Sequence, residues 1–337
     1  MAIEKIDAYN HILVKAYFDE FRALGMGDGM VKRVSAVPML HDLDTRFRIM
    51  DSFADQNYRQ VLSLAGPPIE AFATPDRSPR LAMVANDGMA ELCVRYPARF
   101  PGFIASLPMN NPEAAVCEID RATDELGACA LQIFSNVHDE PLDDPKYRPI
   151  FAAAARHDAV IFMHPARNAS FPDYLSEKYS RYELWWSLGW PYETSVAMAR
   201  IVYSGILDEF PALKIVTHHM GGMIPYFEGR MGPGMDQLGS RTAPEQVEQV
   251  KLKHQPMEYY KKFYADTALF GALSATRCGL DFFGVDHCLF ASDSPFDPEG
   301  GSMYIRETIR VIGSLGLSEA DQEKIYNGNA RRLLKLK

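Results

Sequence analysis

The sequence predicts an α/β fold: a parallel (β/α)8 TIM barrel with long segments after its first and fifth strands. Three observations predict it. Short apolar runs alternate eight times with longer amphipathic segments. Several of those runs are apolar throughout, as strands buried on both faces are. The chain of 337 residues has no Ser/Gly linker, low-complexity tract or charge block to mark a boundary. One domain, 1–337, is therefore expected, although length alone would allow two. A doubly wound open sheet is the structural rival. No GxGxxG or GxxxxGK(S/T) pattern follows any run, so that rival lacks its phosphate-binding signature.

In chain order, the expected strands are Lys5–His11, Gln60–Leu64, Gly102–Ser106, Ala128–Ile133, Ala159–His164, Lys214–His218, Phe263–Asp266 and Cys288–Ala291. Helical patterns fill the intervals. Ala82–Tyr96 and Pro112–Leu126 are stopped by Pro97 and Gly127, and Pro145–His157, Glu193–Leu207, Ala272–Phe283 and Tyr304–Leu315 follow the same rule. Residues 13–45 and 165–192 exceed a minimal strand–helix module. Both follow strands, on the side where barrel loops build an active-site face. The second carries Phe171, Tyr174, Tyr179, Tyr182, Trp185, Trp186 and Trp190, suited to roof an apolar pocket for a ring-shaped substrate and, not exclusively, to form a subunit interface or cover helix ends.

Composition excludes several classes. With 47% hydrophobic and 23% charged residues, the chain is globular rather than disordered. No apolar run approaches the roughly 18–20 residues of a membrane helix, and the start lacks a signal-peptide pattern, so a cytoplasmic protein is expected. Net charge is −9 and the basic residues are scattered, which argues against a nucleic-acid partner. Five widely spaced cysteines form no CxxC and read as reduced thiols.

Function is written at the strand ends. His11 ends the first strand, His164 the fifth, the pair His218–His219 the sixth and Asp293 the eighth. In a barrel, those ends converge on one mouth, where imidazoles and a carboxylate suit a divalent transition metal. A remaining histidine or aspartate could serve as general acid or base. Each residue alone has a plainer reading, as a hydrogen-bonded histidine or a capping aspartate; four strands ending this way shift the balance.

These residues carry a resemblance. Phe162-Met163-His164-Pro165, His219-Met220-Gly221-Gly222 with Gly229-Arg230, and Ala291-Ser292-Asp293-Ser294-Pro295-Phe296 occur in order and spacing. The chain resembles, nearly end to end, the amidohydrolase superfamily, in its branch of metal-dependent nonhydrolytic decarboxylases. That branch includes aminocarboxymuconate semialdehyde decarboxylase and the hydroxybenzoate decarboxylases. The resemblance implies His11, His164 and Asp293 as ligands of zinc or manganese, and His219 with Asp293 for proton transfer. It also implies Arg46 and Arg230 as carboxylate-binding arginines, with Arg230 reaching a neighbouring subunit's site, and hence a homodimer. The family usually opens with His-x-His, or with Glu-x-Ala, where this chain has Tyr9-Asn10-His11. Tyr9, a candidate substrate-binding residue, could bind metal as phenolate, leave the metal to the other three ligands, or act as a hydrogen-bond donor or acid in a metal-independent site.

The implied reaction is nonoxidative decarboxylation of a small aromatic or unsaturated carboxylic acid. The ring carbon next to the carboxylate is protonated, and carbon dioxide then leaves. A metal-dependent hydrolase or hydratase acting on a lactone, amide or enol is the alternative, since one residue set serves both. No strand-end lysine suits a carbamate bridge, which argues against two metals. A degenerate barrel that only binds a small acid is the non-catalytic alternative.

Overall fold

In the computed structural model, which describes residues 2–24, 28–235, 237–247 and 251–337, the eight expected strands are all present and all parallel. They are β1 Lys5–Ile12, β2 Tyr58–Leu64, β3 Gly102–Ser106, β4 Ala130–Phe134, β5 Val160–His164, β6 Lys214–Thr217, β7 Tyr264–Asp266 and β8 Cys288–Leu289. Each pairs with the next in sequence order. Three backbone bonds close the seam between β8 and β1. Ala8 donates to the Phe290 carbonyl (2.8 Å), His11 to Ser294 (2.8 Å) and Asp293 to Tyr9 (3.2 Å).

Two apolar layers follow from the strand alternation. Inward residues, among them Val61, Ile104, Ala130, Phe162, Val216 and Leu289, fill the barrel axis. Leu333 and Leu334, on the last helix Asn329–Leu334, plug its floor. Burying each contributes about 2 kcal/mol. The opposite faces of the strands pack against the surrounding helices in a separate, larger cluster.

The helices begin where their caps dictate. Asn111 accepts the Ala114 N–H at 3.1 Å, and Pro112 opens the helix Pro112–Asp124. The expected continuous helix over 193–207 is instead two, Gly189–Tyr203 and Ile206–Glu209. Gly205, at φ 76°, is left-handed and interrupts it. The segment after β1 is more ordered than its sequence suggests. It contains helices Lys15–Ala23 and Asp28–Ser35, and is followed by Leu43–Asp51; residues 25–27 lie outside the described residues.

Candidate metal centre at the barrel mouth

The first strand is shaped by one extra residue. Its register with β2 runs Asp7 to Gln60, then Asn10 to Leu62, so a bulge falls at Ala8–Tyr9. Tyr9 joins the interior layer and its ring lies 5.1 Å from the ring of His11. Asn10 is buried and donates to the Val61 carbonyl at 2.9 Å. Asp7 accepts the Ser292 N–H at 3.0 Å and also bonds the Ser292 and Tyr58 hydroxyls, tying β1 to its neighbours on both sides.

His11, His164, His218 and Asp293 come together here. One ligand atom from each lies within 4.8 Å of the others, and all four residues are buried. The second ring nitrogen of each histidine has its own place in the structure. His11 Nδ1 lies 3.3 Å from Ser63 Oγ, His164 Nδ1 is 2.7 Å from the Pro165 carbonyl, and His218 Nδ1 bonds Asp266. That leaves three Nε2 atoms for the centre. His11 Nε2 and His218 Nε2 approach the same Asp293 Oδ1, at 2.9 and 3.3 Å. A first-row divalent ion bonds such atoms at about 2.0–2.2 Å, which sets ligand atoms about 3–4 Å apart. The donor chemistry suits one such ion, and atoms within 4.8 Å of one another need only small side-chain shifts to converge on it. The Tyr9 ring lies beside His11 and His218, and its buried hydroxyl has no partner.

Charge is concentrated in this chamber. Burial works against the carboxylate of Asp293, but bonds from His11 and His218 outweigh it and hold the carboxyl well below its usual range. Burial likewise opposes a charge on His218, yet Asp266 and Asp293 raise it to about 9. His219, buried beside the cationic His218, is lowered to about 4. The backbone is strained where these groups are presented. His219, Met220 and Asp293 have φ of 51°, 53° and 62°, at a cost of roughly 1 kcal/mol or more each. Gly222, at φ 60°, completes the turn after β6; a Cβ there would sit 2.4 Å from the Pro191 carbonyl.

The expected site residues separate into two groups. Tyr9, His11, His164, His219 and Asp293 share the mouth. His219 donates from Nδ1 to the Ala268 carbonyl (2.7 Å), and its ring centroid is 3.8 Å from that of His218. Arg46 departs from its expected role as a carboxylate clamp. It is wholly buried, and its guanidinium donates to Met39 O (3.2 Å), Asn10 Oδ1 (3.1 Å), Gln60 Oε1 (2.6 Å) and the His11 carbonyl. Its donors hold the bulged strand, so no open fork faces a ligand. Arg230 is exposed on the short helix Glu228–Met231.

Aromatic side chains wall the chamber. Phe134 and Trp190 each lie 5.2 Å from the His164 ring, Phe296 lies 5.6 Å from His11, and Phe270 lies 5.3 Å from His219. Trp190 is held by its Nε1 bond to the Arg167 carbonyl (3.1 Å), with Trp185 and Trp186 packed around it. The segment 165–192 thus has two faces: its tryptophans turn toward the site, while Tyr174, Tyr179 and Tyr182 stand out in solvent.

Sequence reasoning placed His218 among the strand-end imidazoles without singling it out, and assigned no role to Asp266. The signal for His218 was the strand period: Val216 faces the axis, so residue 218 must as well. Asp266 ends β7 as the other site residues end their strands.

Comparison with known proteins agrees with this architecture. The amidohydrolase family model matches residues 6–336. The gamma-resorcylate decarboxylase of Polaromonas sp. is 32% identical over 304 residues, covering 87% of each chain. The 2-amino-3-carboxymuconate-6-semialdehyde decarboxylase of Dictyostelium discoideum is 28% identical over 98% of this chain and 92% of its own. Among solved structures, the 5-carboxyvanillate decarboxylase of Sphingomonas paucimobilis superposes with a TM-score of 0.84 at 26% identity over the whole of both chains. A dihydroxybenzoic acid decarboxylase from Polaromonas sp., with bound manganese and 2-nitroresorcinol, gives 0.80 at 28% over 99% of this chain and 97% of its own. With the family model spanning nearly every residue and the strand-end histidines and aspartate at one mouth, the chain belongs to the amidohydrolase family.

Proposed function

We propose that the protein is a metal-dependent, nonoxidative decarboxylase of a small aromatic carboxylic acid bearing a hydroxyl beside the carboxylate. The observation that carries this reading is the buried His11–His164–His218–Asp293 group inside an aromatic chamber. The decarboxylases among its relatives, and the manganese and 2-nitroresorcinol bound in one of them, support it. A divalent ion at that group, zinc or manganese, would supply positive charge to the substrate's anionic oxygens. The chain 1–337 would work as one barrel domain.

The chain's own residues have distinct tasks in the reaction. Trp190, Phe134 and Phe296 flank the ring and exclude water. The proton goes to the ring carbon bearing the carboxylate, the bond to the carboxylate breaks, and its electron pair returns to the ring as carbon dioxide leaves. Asp293 rests as a carboxylate, so a proton placed on it in the substrate complex is readily given up. His219, neutral at ordinary pH with its proton on Nδ1 against the Ala268 carbonyl, has a bare Nε2 that takes up a proton from solvent and passes that proton on to Asp293 for the next turnover. Arg46 acts as a positioning residue through the His11 carbonyl. Arg230, exposed beside Tyr226 and Phe227, would reach a second copy's site in a homodimer, which sedimentation would detect. Five free thiols suit a reducing, cytoplasmic compartment, and no helix among the described residues is long and apolar enough to cross a membrane.

The test is product analysis on a panel of ortho-hydroxybenzoic acids with manganese- or zinc-loaded protein. Stoichiometric carbon dioxide and the decarboxylated phenol are expected, and Asp293→Asn should abolish both. Incorporation of labelled water oxygen into product, without carbon dioxide, would establish the hydrolase instead; binding without turnover would establish a small-acid binding protein.

A further inference from the structure

We propose that His218 is a metal ligand, that Asp266 is the positioning residue that aims it, and that Tyr9 stays outside the coordination shell. The inference rests on the metal-dependent reading above and adds which side chains complete the centre.

Geometry supports His218 from two directions. Its Nδ1 is bonded to Asp266, which is itself completely buried and anchored by the His219 N–H (2.9 Å) and the Ala268 N–H (3.1 Å). The carboxylate therefore cannot swing away, and it fixes the ring with Nε2 pointing at the axis. There Nε2 meets Asp293 Oδ1, the oxygen that His11 also approaches. The His164 and His218 rings stack at 4.9 Å, bringing both edges to one chamber. A carboxylate behind a histidine whose other nitrogen faces a ligand cluster is the usual support for a metal-bound imidazole.

Geometry argues against Tyr9 as a ligand. His11 and His218 both reach Asp293 Oδ1, whereas the Tyr9 ring packs in the apolar interior layer against Phe162 at 5.2 Å. The Tyr9 hydroxyl lies buried with no hydrogen-bond partner, and its ring meets His218 edge-on at 4.7 Å. That leaves its proton available for an anionic oxygen of the substrate.

The experiment is nitrogen-resolved pulsed EPR on the full chain loaded with manganese(II), together with manganese affinity by chelator competition. Wild-type protein should show three coordinated imidazoles. His218→Ala should show two, with affinity at least 100-fold weaker. Asp266→Asn should keep three but bind 10–100-fold more weakly. Tyr9→Phe should keep three imidazoles and an affinity within about threefold of wild type, the scale of an unchanged coordination shell. Free imidazole should restore the third signal to His218→Gly, which guards against a folding defect in the alanine variant. Two imidazoles in the wild type, or loss of manganese in Tyr9→Phe with retention in His218→Ala, would overturn the assignment while leaving a metal enzyme. Failure of the wild type to take up either manganese or zinc would overturn the metal reading as well, before any variant is made.

Discussion

Glu70 sits in the turn Ile69–Ala71 after β2, buried at 3% exposure, with Oε1 unpartnered. Burial raises its carboxyl from 4.5 to about 8. The folded protein therefore keeps this proton where the unfolded chain has released it. Stability from the protonated form is fully present below about pH 4.5 and is lost as pH rises toward 8, because ionisation there favours the unfolded state. Over the whole window the shift corresponds to about 5 kcal/mol, and between pH 5 and 8 to about 4 kcal/mol. Glu70→Gln retains the shape and removes the titration. Urea unfolding of both chains from pH 5 to 8.5 gives the difference directly, since every other group, including Asp7, is common to both. The variant should gain on the wild type by about 4 kcal/mol across that range. Parallel stability curves would refute a neutral, buried Glu70.

Three further outcomes follow from packing and charge. A Cβ at Gly279 would lie 1.9 Å from Met220 Cγ; Gly279→Ala should destabilise by about 1–3 kcal/mol in urea and lower kcat by displacing the neighbouring His219. Asp7→Ala strips the acceptor from Ser292 and Tyr58 at the barrel seam; it should cost about 3 kcal/mol, measured the same way, with near-wild-type helix content by circular dichroism. Chelator dialysis should abolish decarboxylation and lower the unfolding temperature by a few degrees, the size expected when a ligand near 100 times its Kd is removed; manganese should restore both, and full activity after dialysis would contradict the proposed chemistry.

All eight strands were legible in the sequence because each is a short, largely apolar run set off from the longer amphipathic segments around it. The helices Lys15–Ala23 and Leu43–Asp51 were not, since they are short and carry as many charges as a loop. At the site, His11, His164 and Asp293 stood out because a polar residue closes an apolar strand. Arg46 was misread for a physical reason: sequence shows that a cation is near the first strand, but not that the bulge leaves Asn10 Oδ1 and the His11 carbonyl needing donors. Asp266 is equally hidden, because its importance lies in what its two oxygens accept.

The bulge also explains why charge balance, and not overall charge, governs this chamber. One extra residue in β1 turns Tyr9 and His11 inward together and sends Asn10 to Val61 and to Arg46. Arg46 then sits behind the centre as a buried cation bonded to the carbonyl of His11, while Asp266 stands behind His218 as a buried anion. With a divalent ion bound, the ion and Arg46 against Asp293 and Asp266 would leave the chamber with about one net positive charge. An anionic acid can then enter a protein of net charge −9, because the field it meets is set by groups a few ångströms away and the surface carboxylates are screened over about 10 Å. On this reasoning, neutralising Asp266 should strengthen the attraction for an anion while loosening His218, so Asp266→Asn should lower kcat without raising KM.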